Sequence, residues 1–331
     1  MRALLIVNPH ATSTTRLRRD VIARALSSAV ELEVVKTRYR GHATSLAAAA
    51  RRDGFGLVLT LGGDGTVNEA VNGILGGGAG GGAEADGGAA PGAAAPGSPA
   101  NGSAADRPAL AALPGGNANV FTRAVGMPAD PVDAAGQVLQ WLADRRYRTI
   151  GLGLAGARFF TFNAGLGLDA EVVRAVDGHR ARGRTATTAL YVRMTVRQYF
   201  RVTDRRHPAL TLERSGHAPA GPLFLGIVSN TSPWTYLGRR PVYTSPQAAF
   251  DTGLDLFALR SLRSVSIVRT LRQMLSADRP PHGRSVLTLH DQGELTLRSV
   301  RPVAFQVDGE YMGECECVRF RSVPDALRVI A

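Results

Sequence analysis

A glycine-rich run between a strand-like and a helix-like segment contains the first residues that could do chemistry. The run LTLGGDGTVNEAVNGIL spans residues 59–75, with Gly62, Gly63, Asp64 and Gly65 at the junction. The glycines bring main-chain N–H groups close to a ligand, and the following helix adds the positive end of its dipole. Asp64 would repel a bare phosphate, so it fits better as a metal ligand or as a proton acceptor for a hydroxyl. An ordinary tight strand-to-helix turn is the alternative.

A second loop of the same design follows further along the chain. LPGGNANVF (residues 113–121) also comes after a short apolar strand-like run and before a helix-like one. Two such loops at neighbouring strand ends would face each other across one cleft. The pair favours a phosphate-binding cleft over a simple turn.

The scarcity of lysine excludes two large classes of kinase. Lys36 is the only lysine, and it follows no glycine-rich loop. A P-loop needs a lysine after its last glycine, and a protein kinase needs a strand lysine on the nucleotide phosphates. Phosphate chemistry in this chain must therefore rely on backbone amides, arginine or metal ions.

The elements around the glycine loops predict an α/β domain at residues 1–146. Strand-like and helix-like segments alternate here, which predicts a doubly wound, mainly parallel sheet with a ligand at the carboxyl ends of its strands. Residues 76–107 are rich in Gly, Ala and Pro and carry almost no large apolar side chain. They predict a flexible surface insertion rather than a domain linker, because they cannot bury enough surface to offset the entropy of ordering.

Residues 147–331 have a different sequence pattern from the first domain. Short strand-like runs alternate with turn residues and predict a mainly antiparallel second domain, a β-sandwich. We expect the active site in the cleft between the two domains, and the last residues could return to the first domain.

The bulk composition is that of a globular cytoplasmic protein. No apolar run approaches the roughly 18 residues that span a bilayer, and the first residues lack the length and cleavage site of a signal peptide. The net charge of +12 indicates affinity for anionic surfaces, although the arginine excess also fits a compositional bias. Cys315 and Cys317 have no neighbouring Cys or His ligands and predict neither a metal site nor a disulfide framework.

The motifs, taken in order, resemble those of the diacylglycerol kinase catalytic-domain family. GGDGTVNE, an Asn-Pro turn near the start, PGGNANVF, FNAGLGLDAEVV (residues 162–173) and VDGE (residues 307–310) carry the resemblance. That family includes bacterial lipid kinases and sphingosine and ceramide kinases, and it is distantly similar to NAD kinases. The resemblance covers essentially the whole chain apart from the insertion. It implies ATP- and Mg²⁺-dependent phosphorylation of a lipid hydroxyl, with diacylglycerol converted to phosphatidic acid.

The resemblance also implies roles for individual residues. Glu310 matches a glutamate proposed as the general base toward the lipid hydroxyl, while other members give that role to the aspartate of GGDG. We place Asp64 on the metal–phosphate side and Glu310 as the base, and which of the two is the base stays open. Nucleotide contacts are implied for Asn8, Thr37, Gly62, Gly63, Asp64, Gly65, Thr66, Val67, Asn68, Gly116 and Asn117.

Two positions depart from the family pattern. Relatives often have an acidic pair before a glycine that supports a structural Mg²⁺, where this chain has Asp251 followed by Thr252. Asp251 remains a candidate metal ligand, but the second carboxylate is missing. Thr149 likewise stands where relatives commonly have Asp. Both changes concern the accessory metal and polar contacts and not the phosphate loop.

A basic stripe predicts contact with a membrane. Arg193, Arg197, Arg201 and Arg205 recur every four residues in a helix-like segment with aromatic neighbours. This pattern is typical of a surface helix that meets anionic headgroups, and an ordinary solvated face is the alternative.

We therefore predict a cytoplasmic lipid kinase that associates peripherally with the inner face of the membrane. A kinase for sphingoid bases or other lipids, an NAD-kinase-like enzyme and a catalytically inactive nucleotide-binding regulatory module are the alternatives. FNAGLGLDAEVV and the basic segment favour a lipid acceptor, and the presence of both Asp64 and Glu310 argues against an inactive module. The acceptor stays open, as does the oligomeric state, including a homodimer. The sequence lacks a combination of aromatic and basic residues that would form a platform for nucleic acid, so we do not expect nucleic-acid binding.

Overall fold

The computed structural model describes residues 1–11, 15–77, 104–180 and 207–331, together with residues 190, 193–195 and 197–198. Most of the predicted insertion at 76–107 lies outside these residues, and so do Arg201 and Arg205 of the predicted basic stripe. Arg193 and Arg197 are described, and both are exposed.

Strands and helices alternate through the first part of the chain. Four strands pair in parallel in the order β4-β3-β1-β2, as predicted. Every residue of β3 and β4 is buried, which is why these strands read as continuous apolar runs. The elements are β1 (Arg2–Val7), α1 (Arg16–Leu26), β2 (Glu31–Lys36), α2 (His42–Arg52), β3 (Leu57–Gly62), α3 (Asp64–Leu75), β4 (Ala109–Pro114), α4 (Val120–Ala124) and α5 (Pro131–Ala143).

The second part is mainly antiparallel, as predicted, and α-helices pack on it. Strands pair in the order β14-β13-β10-β7-β15-β16, with β5 added on β16 and β8 on β15. The elements are β5 (Tyr147–Ala155), β6 (Arg158–Phe160), β7 (Asn163–Gly167), α6 (Leu168–Arg180), β8 (Leu210–Arg214), β9 (His217–Leu223), β10 (Leu225–Ser229), β11 (Thr235–Leu237), β12 (Arg240–Val242), β13 (Leu254–Leu259), α7 (Ser264–Gln273), β14 (Val286–Gln292), β15 (Glu294–Val307) and β16 (Glu310–Ile330).

The long strand β16 joins the two parts. Among the described residues, fourteen strands form one continuous sheet, because the end of β16 pairs in parallel with β4 at Val329 and Leu110. The other end of β16 starts at a tight turn from β15, where Asp308 and Gly309 both have positive φ, 46° and 73°. Two residues with positive φ are what a two-residue hairpin turn requires. The turn carries Glu310 back toward the parallel sheet.

The described residues contain no helix that is long and apolar enough to span a bilayer.

Candidate active site

The predicted nucleotide-contacting residues collect at one edge of the parallel sheet. Asn8, Thr37 and Gly63 directly follow β1, β2 and β3, whose carboxyl ends lie side by side. The Asn8 side-chain amide donates to Thr66 Oγ1 at 3.3 Å, which ties the Asn-Pro turn to the first turn of α3. The Thr37 amide donates to Val7 O at 2.9 Å and continues the strand pairing to this edge. Ligands of parallel sheets bind at this edge.

The two glycine loops touch each other through their backbones. The Gly115 amide donates to Gly62 O at 2.7 Å. A Cβ atom on Gly115 would lie 2.8 Å from Gly62 Cα, and one on Gly116 would lie 2.6 Å from Gly63 Cα. The expectation that the loops face each other across a cleft is therefore corrected. They form one surface, because β3 and β4 are paired up to Gly62 and Pro114.

Asp64 holds the two loops together. It lies in the first turn of α3, and its Oδ2 and Oδ1 accept hydrogen bonds from the amides of Val120 and Phe121, each at 3.1 Å. These amides begin α4, so Asp64 satisfies N–H groups that the helix start would leave unpaired. Burial raises the pKa of Asp64 to about 6, against the effect of the two amides. Each carboxylate oxygen keeps one lone pair, which is the capacity a metal ligand needs.

Glu310 comes from the far end of the chain and lies directly on the first glycine loop. A Cβ atom on Gly65 would overlap Glu310 Oε1. Only glycine at position 65 therefore allows the carboxylate this close to the amino-terminal end of α3. The two residues proposed for catalysis, Asp64 and Glu310, both contact this loop region.

Arg40 forms an ion pair with Glu310 that the sequence did not reveal. Its Nη2 lies 3.3 Å from Glu310 Oε2 and donates to Tyr311 O at 3.1 Å. The Arg40 side chain is 62% exposed, whereas that of Glu310 is 22% exposed. The only sequence signal was an arginine between β2 and α2, at the ligand edge of the sheet.

Burial and charged groups from four parts of the chain shift the pKa of Glu310. Burial raises its pKa, and the guanidinium groups of Arg40 and Arg158 oppose that rise. The carboxylates of Glu69 and Asp177 raise the pKa further. A carboxyl group with a raised pKa is a stronger base once it is ionised.

Glu69 fixes the loop that carries Arg40. Its carboxylate is buried and accepts hydrogen bonds from the amides of Gly41 at 2.7 Å and Ala43 at 3.1 Å. Glu69 belongs to α3, so the start of α2 is attached to the same helix that begins at the glycine loop. The position of Arg40 over Glu310 is set by this attachment.

Asp308 connects the Glu310 turn to the glycine-loop helix. Its Oδ2 accepts from Asn68 Nδ2 at 2.7 Å and from the amide and hydroxyl of Thr161 at 2.7 and 2.8 Å. Its Oδ1 accepts from the amides of Phe162 at 3.0 Å and Asn163 at 3.2 Å. Asp308 is 3% exposed. A buried carboxylate that accepts five hydrogen bonds holds these segments rigidly in place, because breaking any of the bonds would leave a buried polar group unpaired.

Asn68 uses its whole side-chain amide inside the protein. Besides Asp308, its Nδ2 donates to Phe159 O at 2.9 Å, and its Oδ1 accepts from Arg158 at 2.6 Å and Asn72 at 3.2 Å. An asparagine amide offers two donors and two acceptor sites, so none is left for a nucleotide. We therefore regard Asn68 as a positioning residue. The side chain of Val67 is also fully buried, whereas Asn117 is exposed on the second loop.

Asp251 does not lie in a metal-binding arrangement. Its carboxylate pairs with Arg148 at 2.8 and 2.9 Å and is 70% exposed, while the Thr252 hydroxyl donates to Ala249 O. In the part of the chain that the structure describes, no group of three or more His, Cys, Asp or Glu side chains is placed to hold a metal ion. The residues around Asp251 do not fit an accessory metal, because a guanidinium already neutralises the one carboxylate.

Comparison with protein families places the glycine loops in a known domain. Residues 2–152 match the model of the diacylglycerol kinase catalytic domain. The resemblance seen in the motifs is thereby confirmed. The match contains both glycine loops and Asp64, whereas Glu310 lies beyond it.

Similarity to known diacylglycerol kinases extends over almost the whole chain. The diacylglycerol kinase of Bacillus subtilis (strain 168) is 24% identical over 319 residues, which cover 94% of this chain and 90% of that protein. A diacylglycerol kinase of Staphylococcus aureus (strain bovine RF122 / ET3-1) is 23% identical, covering 95% of this chain and 87% of that protein.

Solved structures share the fold. Two structures from Bacillus anthracis strain Sterne superpose with TM-scores of 0.72 and 0.65 at 20% and 18% identity, and the second is of a diacylglycerol kinase. Each match covers 99% of this chain and 96% of the solved one. The fold class predicted from the sequence, a parallel sheet followed by antiparallel strands, is confirmed.

Proposed function

We propose that this diacylglycerol kinase family member transfers the γ-phosphoryl group of ATP to the hydroxyl group of a membrane lipid, with diacylglycerol as the acceptor and phosphatidic acid as the product. One observation carries the proposal: Glu310 lies against Gly65 at the start of α3. A carboxylate beside a phosphate-type loop is what transfer to an alcohol requires. The names of the full-length relatives support diacylglycerol as the acceptor.

Backbone amides at the joined glycine loops bind the phosphates of ATP. The first turn of α3 offers N–H groups and the positive end of the helix dipole. Gly115 and Gly116 of the second loop contact the first loop, so a second stretch of backbone lies at the same place. Asn8 and Thr37 lie at the ends of β1 and β2, where they would contact the rest of the nucleotide. Because the chain has no P-loop lysine, backbone amides and arginine bind the phosphates in its place.

Mg²⁺ fits the phosphate side of this site, where it would neutralise negative charge on the phosphoryl group being transferred. Mg²⁺ bound with nucleotides usually takes one or two protein carboxylates, with phosphate and water oxygens completing its shell. Asp64 suits that role, because each of its oxygens accepts one amide and retains a lone pair. No dedicated cluster of acidic residues is needed.

Glu310 accepts the proton of the attacking lipid hydroxyl. Its raised pKa strengthens it as a base, and its ion pair with Arg40 keeps it ionised and oriented. The same guanidinium brings positive charge to the side of the loop where the phosphoryl group leaves ATP. A sphingoid base presents the same hydroxyl chemistry, so the acceptor has to be assigned by assay. We place the reaction at the inner face of the membrane, where ATP is present.

The test is phosphoryl transfer from labelled ATP to a panel of lipids in mixed micelles. We expect labelled phosphatidic acid from diacylglycerol and little product from a sphingoid base or from NAD. Glu310→Gln should lower kcat by about 10²- to 10⁴-fold, the usual contribution of a general base, and leave the Kd for ATP within a few-fold. Glu314→Gln is the matched control, because Glu314 lies on the same strand but pairs with Arg174 at 2.8 Å. Full activity of the Glu310→Gln enzyme would show that Glu310 is not the base.

A further inference from the structure

Helix α7 carries an apolar stripe that the rest of the protein does not cover. Val265 is 85% exposed, Val268 55%, Leu271 53% and the following Leu275 37%. Positions three or four residues apart lie on one face of a helix, so these four side chains form a continuous row. We call this row, residues 265, 268, 271 and 275, the α7 stripe.

A different face of α7 packs on the protein. Thr270 and Met274 are each 5% exposed. Met274 belongs to a hydrophobic cluster against which Ile267 packs. That cluster contains Leu168, Val172 and Val176 of α6 and Met194 of the segment with the basic stripe. The helix is therefore already anchored through one face, and the α7 stripe is additional apolar surface beyond what the fold uses. Adjoining exposed apolar side chains commonly mark an interaction site.

The surroundings of the α7 stripe are strongly positive. Residues 260–284 contain six arginines and one aspartate, Asp278. Arg263, Arg269, Arg272, Arg279 and Arg284 are exposed. In α7 itself, Arg269 and Arg272 alternate with the apolar row. Apolar side chains flanked by arginines on one helix are the pattern of helices that lie in the membrane interface.

We propose that α7 docks this enzyme on the surface of an anionic lipid bilayer, with the α7 stripe in the interface and its arginines on the headgroups. The inference rests on the proposed function, since a lipid kinase has to reach an acceptor held in a membrane. The positive charge around the α7 stripe favours an anionic bilayer over a second copy of the chain as the partner of this surface. A symmetric dimer through this face would bring two sets of arginines together, whereas anionic headgroups complement them.

The position of α7 suits delivery of the acceptor. α7 and α6 pack in one cluster on the antiparallel strands, with Arg193 and Arg197 exposed on the segment that packs beside them. α6 also contacts the strand of Glu310: Asp177 accepts from the Tyr311 amide at 3.2 Å. One helical layer therefore links the docking surface to the catalytic carboxylate.

Vesicle flotation without ATP or diacylglycerol tests the inference separately from catalysis. The probes are vesicles of phosphatidylcholine alone and of phosphatidylcholine with phosphatidylglycerol. We expect binding to the anionic vesicles, lowered about tenfold or more by Val265→Ser with Val268→Ser and by Arg269→Gln with Arg272→Gln, because two apolar anchors or two charges are lost. Val300→Ser is the matched control, since Val300 is 84% exposed and lies in strand β15 rather than in α7. It should bind like the wild type.

The outcomes separate this inference from the proposed function. Unchanged vesicle binding by either double variant overturns it, even if the enzyme phosphorylates diacylglycerol in micelles. Equal binding to both kinds of vesicle also overturns it. If the Val265 and Val268 variant instead turns a dimer into a monomer in ultracentrifugation with vesicle binding unchanged, the face belongs to a second copy. Loss of vesicle binding with near wild-type activity on a water-soluble short-chain diacylglycerol supports it.

Discussion

Replacement of Asp308 by asparagine tests whether Asp308 holds the glycine-loop helix, α3, against the strand of Glu310, β16. Asn tolerates the positive φ of this position as well as Asp does, so the turn itself is not strained by the change. The side chain also keeps its size. What changes is that one of the two oxygens becomes an NH₂ group, which donates instead of accepting.

The magnitude follows from the donors around the carboxylate. Two amides point at Oδ1, and a side-chain amide, a backbone amide and a hydroxyl point at Oδ2. Whichever way the new amide turns, at least two buried N–H donors face another donor. Each unpaired buried donor costs about 1–3 kcal/mol, so the free energy of unfolding should fall by about 2–6 kcal/mol. This is a large part of the roughly 5–15 kcal/mol that stabilises a typical domain.

Urea unfolding followed by circular dichroism measures this loss, with Asp325→Asn as the control. Asp325 has nearly the same φ, 48°, but is exposed and has no comparable set of donors. We expect the control to change stability by less than about 0.5 kcal/mol. If Asp308→Asn lowers the free energy of unfolding by less than about 1 kcal/mol, the claim that Asp308 holds α3 and β16 together is refuted.

Three further predictions concern Glu310 and one buried acid. Gly65→Ala places a methyl group where Glu310 lies and should lower kcat about 100-fold by displacing the base, with a smaller effect on folding. Arg40→Ala removes the cation that lowers the pKa of Glu310, so the acidic limb of the pH–rate profile should move to higher pH. Burial raises the pKa of Asp169 from 3.8 to about 6. The folded state then holds the proton more tightly, so stability falls by up to about 3 kcal/mol as pH rises from about 4 to 6.

Matched variants provide the controls for these three. Gly136 lies within α5 with open space around a Cβ atom, so Gly136→Ala should leave kcat unchanged. Arg174→Ala breaks a different surface ion pair, with Glu314, and should not move the pH–rate profile. Asp169→Asn should remove the share of this loss that comes from Asp169, so its stability should fall less than that of the wild type over the same pH range. An active Gly65→Ala enzyme, an unmoved profile for Arg40→Ala, or equal pH dependence of Asp169→Asn and the wild type would each contradict its prediction.

The sheet and the loops were predictable because their signals are local. β3 and β4 are buried on both faces and so appear as continuous apolar runs, and glycines mark the turns that follow them. The ion pair of Arg40 and Glu310 was not predictable, since 270 residues separate its partners and only tertiary packing joins them. The inward orientation of Asn68 has the same origin. The exposed α7 stripe also needed the structure, because periodicity alone does not tell which apolar side chains of a helix become covered.

A crystal structure with Mg²⁺ and a non-hydrolysable ATP analogue tests the central claim most directly. The claim is that the amides of the joined glycine loops bind the triphosphate and that Glu310 lies beside its γ-phosphate. We expect phosphate oxygens within hydrogen-bonding distance of amides in residues 63–66, with Mg²⁺ near Asp64. A triphosphate bound elsewhere, or bound here with Glu310 turned away from the γ-phosphate, would contradict the claim.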